Sequence, residues 1–222
     1  MAQTADFQNE SVTRAVLYNL FAGAFARKVD DAWLNPRFRE KLQMGLPDVS
    51  GKNELLKALE RAEADPEYFR ELQLDYDALL NVPGPKLTFP YESCYTHRNI
   101  DGTYGRLWQE PAQDMHRILK EWEIVFAEGW DLIPDHIALE LFFMAELCRR
   151  TSNAKNAEDE GRLQEWQVGF FQTHLNPWMF EFVNVLEMKA DTEFYRGMAH
   201  LLRTFLEEEK EELTDNMERI AQ

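Results

Sequence analysis

The stretch that decides the fold is Ile133 to Arg150, IPDHIALELFFMAELCRR. Pro134, Asp135 and His136 stand together, and an almost unbroken apolar run follows. Proline suits the first turn of a helix, where its missing N–H would have had no partner. An acid beside it suits the positive end of the helix dipole. The pattern predicts a helix starting near Pro134. Ile137, Leu141, Met144 and Cys148 form one stripe, and Leu139, Phe142, Phe143 and Leu147 fill most of the remaining circumference. A helix apolar nearly all round is buried on several sides, so this is the expected central helix of an all-α domain, with a polar start as its most informative surface.

Working outward, similar signals recur. Residues 10–28 have amphipathic helical spacing, with Asn9 or Ser11 as the expected cap. Asn35-Pro36, Asp65-Pro66 and Glu110-Pro111 read as helix starts. Residues 45–51 read as a loop, and Leu55, Leu56, Leu59 and Ala62 follow at helical spacing. Asn81-Val-Pro-Gly-Pro85 ends a helix, and Pro90 lies just beyond. The proline-rich connection at about 81–110 is expected to hold no ordinary helix, with a turn at Asp101-Gly102. Residues 126–133 read as a connector and Thr151 to Gly161 as a polar break. Further helices are expected around Leu163–Phe171, from Asn176-Pro177, and from Asp191. Eight or more helices in one globular multi-helix bundle are expected over 1–222, with a possible division into 1–125 and 126–222.

The 222 residues are enough to bury a core. A hydrophobic content of 45% with 29% charged residues is that of a folded chain. No window approaches the roughly 18 consecutive apolar residues of a spanning helix, and the N-terminal residues carry no secretory-signal pattern. The two cysteines, Cys94 and Cys148, form neither a disulfide framework nor a zinc pattern. A cytoplasmic location is the expectation. The formal charge of −16 disfavours nucleic acid and anionic membranes and favours cationic ligands. Part of the excess, the EEEKEE run at 207–212, reads as a solvated helix face.

Signatures of chemistry are few. There is no phosphate-binding G-x-x-x-x-G-K-[ST], no G-x-G-x-x-G and no G-x-S-x-G elbow. Cys94, near His97, reads as a packed thiol. His136 and Glu140, four apart, share a helix face. They can serve a metal-dependent enzyme, or act as a helix-start hydrogen bond and a helix-to-loop tether. His174 reads as a tether for the turn before Asn176-Pro177. Phe89, Tyr91, Tyr95, Tyr104 and Trp108 lie in the proline-rich connection, where they either pin the loop or wall a groove for an apolar peptide.

Four motifs in order carry a resemblance. They are LDYDALLNVPGP-x₄-PYESCY, then W-x-EP at Trp108–Pro111, then PDHIALELFFMAEL at 134–147, then F-x-x-HL-x-x-W at Phe171–Trp178. The chain resembles the TorD/DmsD/NarJ family of redox-enzyme maturation chaperones over roughly residues 70 to 188. Pro177-Trp178 follows the His-Leu pair after a shorter gap than the family commonly has.

The resemblance implies a TorD-like all-helical fold and a non-enzymatic role with no cofactor of its own. It implies binding of the twin-arginine signal peptide and apo-form of a molybdopterin oxidoreductase, assistance to cofactor insertion and delay of export. It implies a monomer or a domain-swapped dimer. The family's Pro-Asp-His determinant falls on Pro134, Asp135 and His136. Around it the expected peptide-binding set is Glu140, Tyr91, Glu92, Ser93, Tyr95, Trp108, Glu110 and Pro111. Arginine pairs well with carboxylates. Asp135 is therefore the first partner expected for a peptide arginine, with Glu92 and Glu110 next, and a helix-dipole charge is its plain alternative. A general helical protein-interaction scaffold is the remaining alternative.

Overall fold

The computed structural model describes the backbone of residues 2–126 and 132–220, and the side chains of residues 10–126 and 132–215. Part of the expected 126–133 connector therefore lies outside the described residues. Among the described residues ten α-helices follow in order: α1 (Ala2–Ala26), α2 (Pro36–Gly45), α3 (Ser50–Ala64), α4 (Pro66–Tyr76), α5 (Glu92–Thr96), α6 (Glu110–Glu121), α7 (Ile137–Ser152), α8 (Ala157–Phe170), α9 (Met179–Lys189) and α10 (Glu193–Ile220). Five-residue π-helical turns extend α4 (Asp77–Asn81) and α8 (Phe171–Leu175). Among the described residues there is no strand, only a single antiparallel bridge between Tyr91 and His136. The all-α expectation holds. No described helix is long and apolar enough to cross a membrane.

The chain divides into two compact units. One comprises residues 1–26, 91–179 and 208–222, the other residues 27–90 and 180–207.

In the first unit α7 is the core. Ile137, Leu139, Leu141, Phe143, Met144, Leu147 and Cys148 are all buried. α1 and α8 are its principal neighbours. Phe143 makes aromatic contacts with Phe170 at 4.6 Å and Trp122 at 5.4 Å between ring centroids. Each such side chain contributes about 1.5–3 kcal/mol by leaving water.

The helix starts three residues later than expected. His136 is its N-cap, with extended backbone and Nδ1 accepting the Ala138 N–H at 3.1 Å. Pro134 and Asp135 precede it in a turn, because the Asp135 carboxylate serves another helix.

Two expectations change in this unit. Glu209, inside the run expected to be solvated, is only 2% exposed. Arg14 of α1 donates to both of its oxygens, at 2.5 and 2.7 Å, and the Tyr18 hydroxyl donates at 2.6 Å. The partner lies 195 residues away, beyond the reach of local pattern. Ser11 is not a cap but a buried residue within α1.

In the second unit the proline starts are realised. Asn35 accepts the Arg37 N–H at 2.9 Å, and Asp65 accepts from Glu67 and Tyr68 at 3.0 and 3.3 Å. Buried Asp75 accepts from the backbone of Asp191 and Thr192 and from the Thr192 hydroxyl, so the turn before α10 is held by α4. α3 and α10 cross closely where Gly51 meets Gly197. A Cβ on Gly51 would stand 2.7 Å from the Gly197 carbonyl oxygen.

The buried Arg14–Glu209 pair generates a stability prediction. Arg14→Met leaves an uncompensated buried carboxylate and is expected to cost about 3–5 kcal/mol. Replacing both partners by apolar residues recovers most of that loss. Urea midpoints of the single and double variants measure the difference.

Candidate functional site

The site begins with a helix too short to cap itself. α5 spans five residues, and Tyr91 before it offers no side-chain cap. The free N–H groups are satisfied from a distant segment instead. The Asp135 carbonyl accepts the Glu92 N–H at 3.1 Å, and Asp135 Oδ2 accepts the Ser93 N–H at 2.9 Å. The Tyr91–His136 bridge completes this seam, with the two rings edge to face at 5.1 Å. Thus PYESCY and PDH, far apart in sequence, are one interlocked structure.

His136 is buried, which pushes its pKa down to about 3. Its Nδ1 lone pair is committed to Ala138 and it sits at the positive end of α7, so the neutral ring is the form the fold requires.

One turn further on, Glu140 is 0% exposed. Trp178 Nε1 donates to Glu140 Oε2 at 3.1 Å and, at 2.7 Å, to the carbonyl of His174. On the other side lies Glu92, whose Oε2 is 2.8 Å from His174 Nδ1. Burial pushes the Glu140 carboxyl well above the usual carboxylate range, and the negative charges of Glu92 and Asp135 add to it. Burial also raises Glu92, with His174 opposing the shift. The consistent proton arrangement is a neutral Glu140 donating to an ionised Glu92, which is paired with His174.

The π-turn after α8 places His174 in this cluster, as such turns often do at functional positions. His174 and Trp178 are absent from the expected site. Their signal is the F-x-x-HL-x-x-W motif itself, which gives no indication of what the histidine faces.

The expected residues separate by exposure. Glu92, Ser93, Asp135, His136 and Glu140 come together in the buried cluster. Pro134, Pro111 and Tyr95 are also buried, Tyr95 with its ring against Trp178 at 5.2 Å. Tyr91 is half-buried. Trp108 and Glu110 are exposed. Trp108, 59% exposed, has a φ of 62°. This left-handed backbone is costly for a bulky residue. The loop around it is firmly held: Ser93 Oγ accepts the Gln109 N–H, and the Gln109 side chain donates to the carbonyls of His97 and Arg106. Gly105 is required there, since a Cβ would lie 2.0 Å from the His97 carbonyl oxygen.

Cys94 and Cys148 are buried, and burial pushes both thiols up to about 12, as befits packed, unreactive sulfur. His136, with its Nδ1 committed to the Ala138 N–H, is not among the three donors that converge. The three donors that do converge are Glu92, Glu140 and His174, each offering one atom within 4.8 Å of the others.

The cluster reaches the surface at His174. This residue lines a groove of about 390 Å³ together with Ile118 of α6 and Trp166, Gly169 and Phe170 of α8, with Arg162 and Glu165 among its other walls. A second cavity of about 810 Å³ shares Arg162 and Trp166 and adds Trp122, the acids Glu121, Glu123 and Asp159, and the bases Arg150 and Lys155.

An all-helical protein whose motif residues form an interlocked buried cluster beneath a groove fits a binding protein. The family model described as "Nitrate reductase delta subunit" matches residues 46–184, more than half of the chain. The chain belongs to this family, the TorD/NarJ family of maturation chaperones. It is 30% identical over 135 residues to the chaperone protein TorD of Photobacterium profundum, covering 61% of this chain and 60% of that protein. It is 25% identical to TorD of Vibrio parahaemolyticus, covering 86% and 90% of the two chains. It is 26% identical to TorD of a Shewanella species, strain ANA-3, covering 92% and 95%. These relatives are named as chaperones, not enzymes.

The His136 environment sets a pH dependence. A ring that is ordinary when unfolded and depressed to about 3 when folded leaves stability intact above pH ~6.5. Below that, the unfolded chain takes up the proton first, so stability falls as pH drops towards 3. The slope from this group is at most about 1.4 kcal/mol per pH unit. His136→Asn keeps a capping acceptor but removes the titration. Its urea midpoint is expected to fall less steeply than the parent's between pH 6.5 and 4.

Proposed function

We propose that this chain is a cytoplasmic, system-specific chaperone that binds the twin-arginine signal peptide and apo-form of a molybdopterin oxidoreductase, assists cofactor insertion and delays export. The observation that carries the proposal is the convergence of three family motifs. Tyr91–Tyr95, Asp135–Glu140 and His174–Trp178 meet in one cluster, and that cluster underlies an aromatic groove through His174.

The ligand chemistry matches. A twin-arginine signal peptide is cationic and then apolar. Its apolar part suits the wall formed by Ile118, Trp166 and Phe170. Its arginines suit the carboxylates at the rim, Glu165, Glu121 and Glu123. Trp108 and Glu110 add an exposed aromatic and an acid on the loop and at the start of α6. The buried members act by position. Asp135 holds α5, His136 starts α7, and Glu140 ties α7 to Glu92 and Trp178.

Calorimetry with a twin-arginine peptide tests this. Binding is expected to weaken with salt, since part of the attraction is ionic. Trp166→Ala is expected to lose about 2 kcal/mol of affinity, as for a buried aromatic anchor. Asp135→Asn keeps the acceptor for Ser93 and is expected to bind nearly as well as the parent. No peptide binding, or equal affinity after Trp166→Ala, contradicts the proposal. A large loss in Asp135→Asn makes Asp135 a direct contact.

A further inference from the structure

Five carboxylate side chains are buried among the described residues: Asp75, Glu92, Asp135, Glu140 and Glu209. Two of them are fully provided for. Glu209 has the Arg14 guanidinium and the Tyr18 hydroxyl, and Asp75 has three donors. The other three are the neighbours Glu92, Asp135 and Glu140. No lysine or arginine among the described residues bonds to any of them. Asp135 has one backbone N–H, Glu140 has one indole N–H, and Glu92 has His174, with Glu92 and Glu140 otherwise facing each other. Burying carboxylates in this way is unfavourable unless protons or a cation neutralise them.

The shortage of positive charge has a definite location. Ligand atoms of Glu92, Glu140 and His174 lie within 4.8 Å of one another. Independently, Glu140 Oε1 is fully buried and accepts no hydrogen bond from any N–H or O–H donor. Three separate elements, α5, α7 and the π-turn after α8, each fix one of the three side chains.

We propose that Glu92, Glu140 and His174 bind one divalent transition-metal ion, with zinc the best-suited probe. The donor set is two carboxylate oxygens and one imidazole nitrogen, a mixed set that zinc takes at about 2.0–2.2 Å. Two carboxylates balance the 2+ charge, and the imidazole binds through its neutral form. Zinc binds both glutamates as carboxylates, so a proton bound between them leaves to solvent and charge is conserved. Trp178 Nε1, donating to Glu140 Oε2, orients the ligand from outside. His174 lies on the surface groove, so a water can complete the coordination from that side. The ion joins the three motif segments as a structural clamp and needs no enzymatic activity. This site does not depend on what the groove binds.

The test is calorimetric titration of chelator-stripped protein with zinc chloride, in parent and Glu140→Gln. Glutamine copies the shape and hydrogen bonding of a protonated glutamate but cannot give up its proton to a metal. Its melting temperature in chelator should therefore stay near the parent's. The parent is expected to bind one zinc per chain, to melt at higher temperature with zinc, and to release a proton, seen as a buffer-dependent heat. Glu140→Gln is expected to weaken this site about 100-fold or more, since even outer-shell losses cost 10–100-fold. If Glu140→Gln melts early, His174→Gln removes the nitrogen donor and reads the same loss. No saturable zinc binding overturns the proposal. So does undiminished binding in these variants, which would put the ion elsewhere, for example at His200 with Glu54 and Glu187.

Discussion

Glu140 sits one turn into the most apolar helix of the chain, fully buried, with another glutamate as its neighbour. Much of the first unit depends on how this contact is neutralised. A proton on Glu140 turns carboxylate repulsion into a hydrogen bond to Glu92. Glu92 in turn holds His174, and Trp178 closes the ring by donating to Glu140. α5, α7 and the segment after α8 are therefore fixed against each other by polar contacts in an otherwise apolar interior. Such a network is demanding, because any partner removed leaves another buried and unsatisfied. That demand explains why so many polar residues are packed into short motifs.

The seam at Asp135 works alongside it. A five-residue helix has little stability of its own. It persists here because its first N–H groups are met by the carbonyl and carboxylate of Asp135. The same residue ends the chain's approach to α7, leaving the cap of that helix to His136. The long connection is tied to α5 where it reaches Trp108, an exposed tryptophan with left-handed backbone. Positions such as Asp135 and Glu140 thus hold the Trp108 loop and the His174 turn from within the core.

The helices were legible where their signals are local. Asn35-Pro36, Asp65-Pro66 and Glu110-Pro111 each mark a helix start, and the apolar run after His136 is core. What was illegible is long-range. The start of α7 is displaced because Asp135 is occupied by α5, which sequence pattern cannot register. Glu209 reads as solvated until Arg14, at the other end of the chain, is found beside it. The connection at 81–110 hides α5, because its cap is supplied from residue 135. The motif residues of the site were readable, but their burial was not. His174 and Trp178 stood in a recognisable motif whose role depends on two glutamates from other helices.

On the proposed function, the motif cluster supports a peptide groove on the first unit, at α6 and α8. Hydrogen–deuterium exchange of the intact chain, with and without a twin-arginine peptide, addresses it most directly. The account predicts slower exchange in α6 and from α8 through the π-turn at Phe171–Leu175, where Ile118, Trp166, Phe170 and His174 line the groove. Protection confined to residues 27–90 and 180–207, with none in α6 or α8, would contradict it.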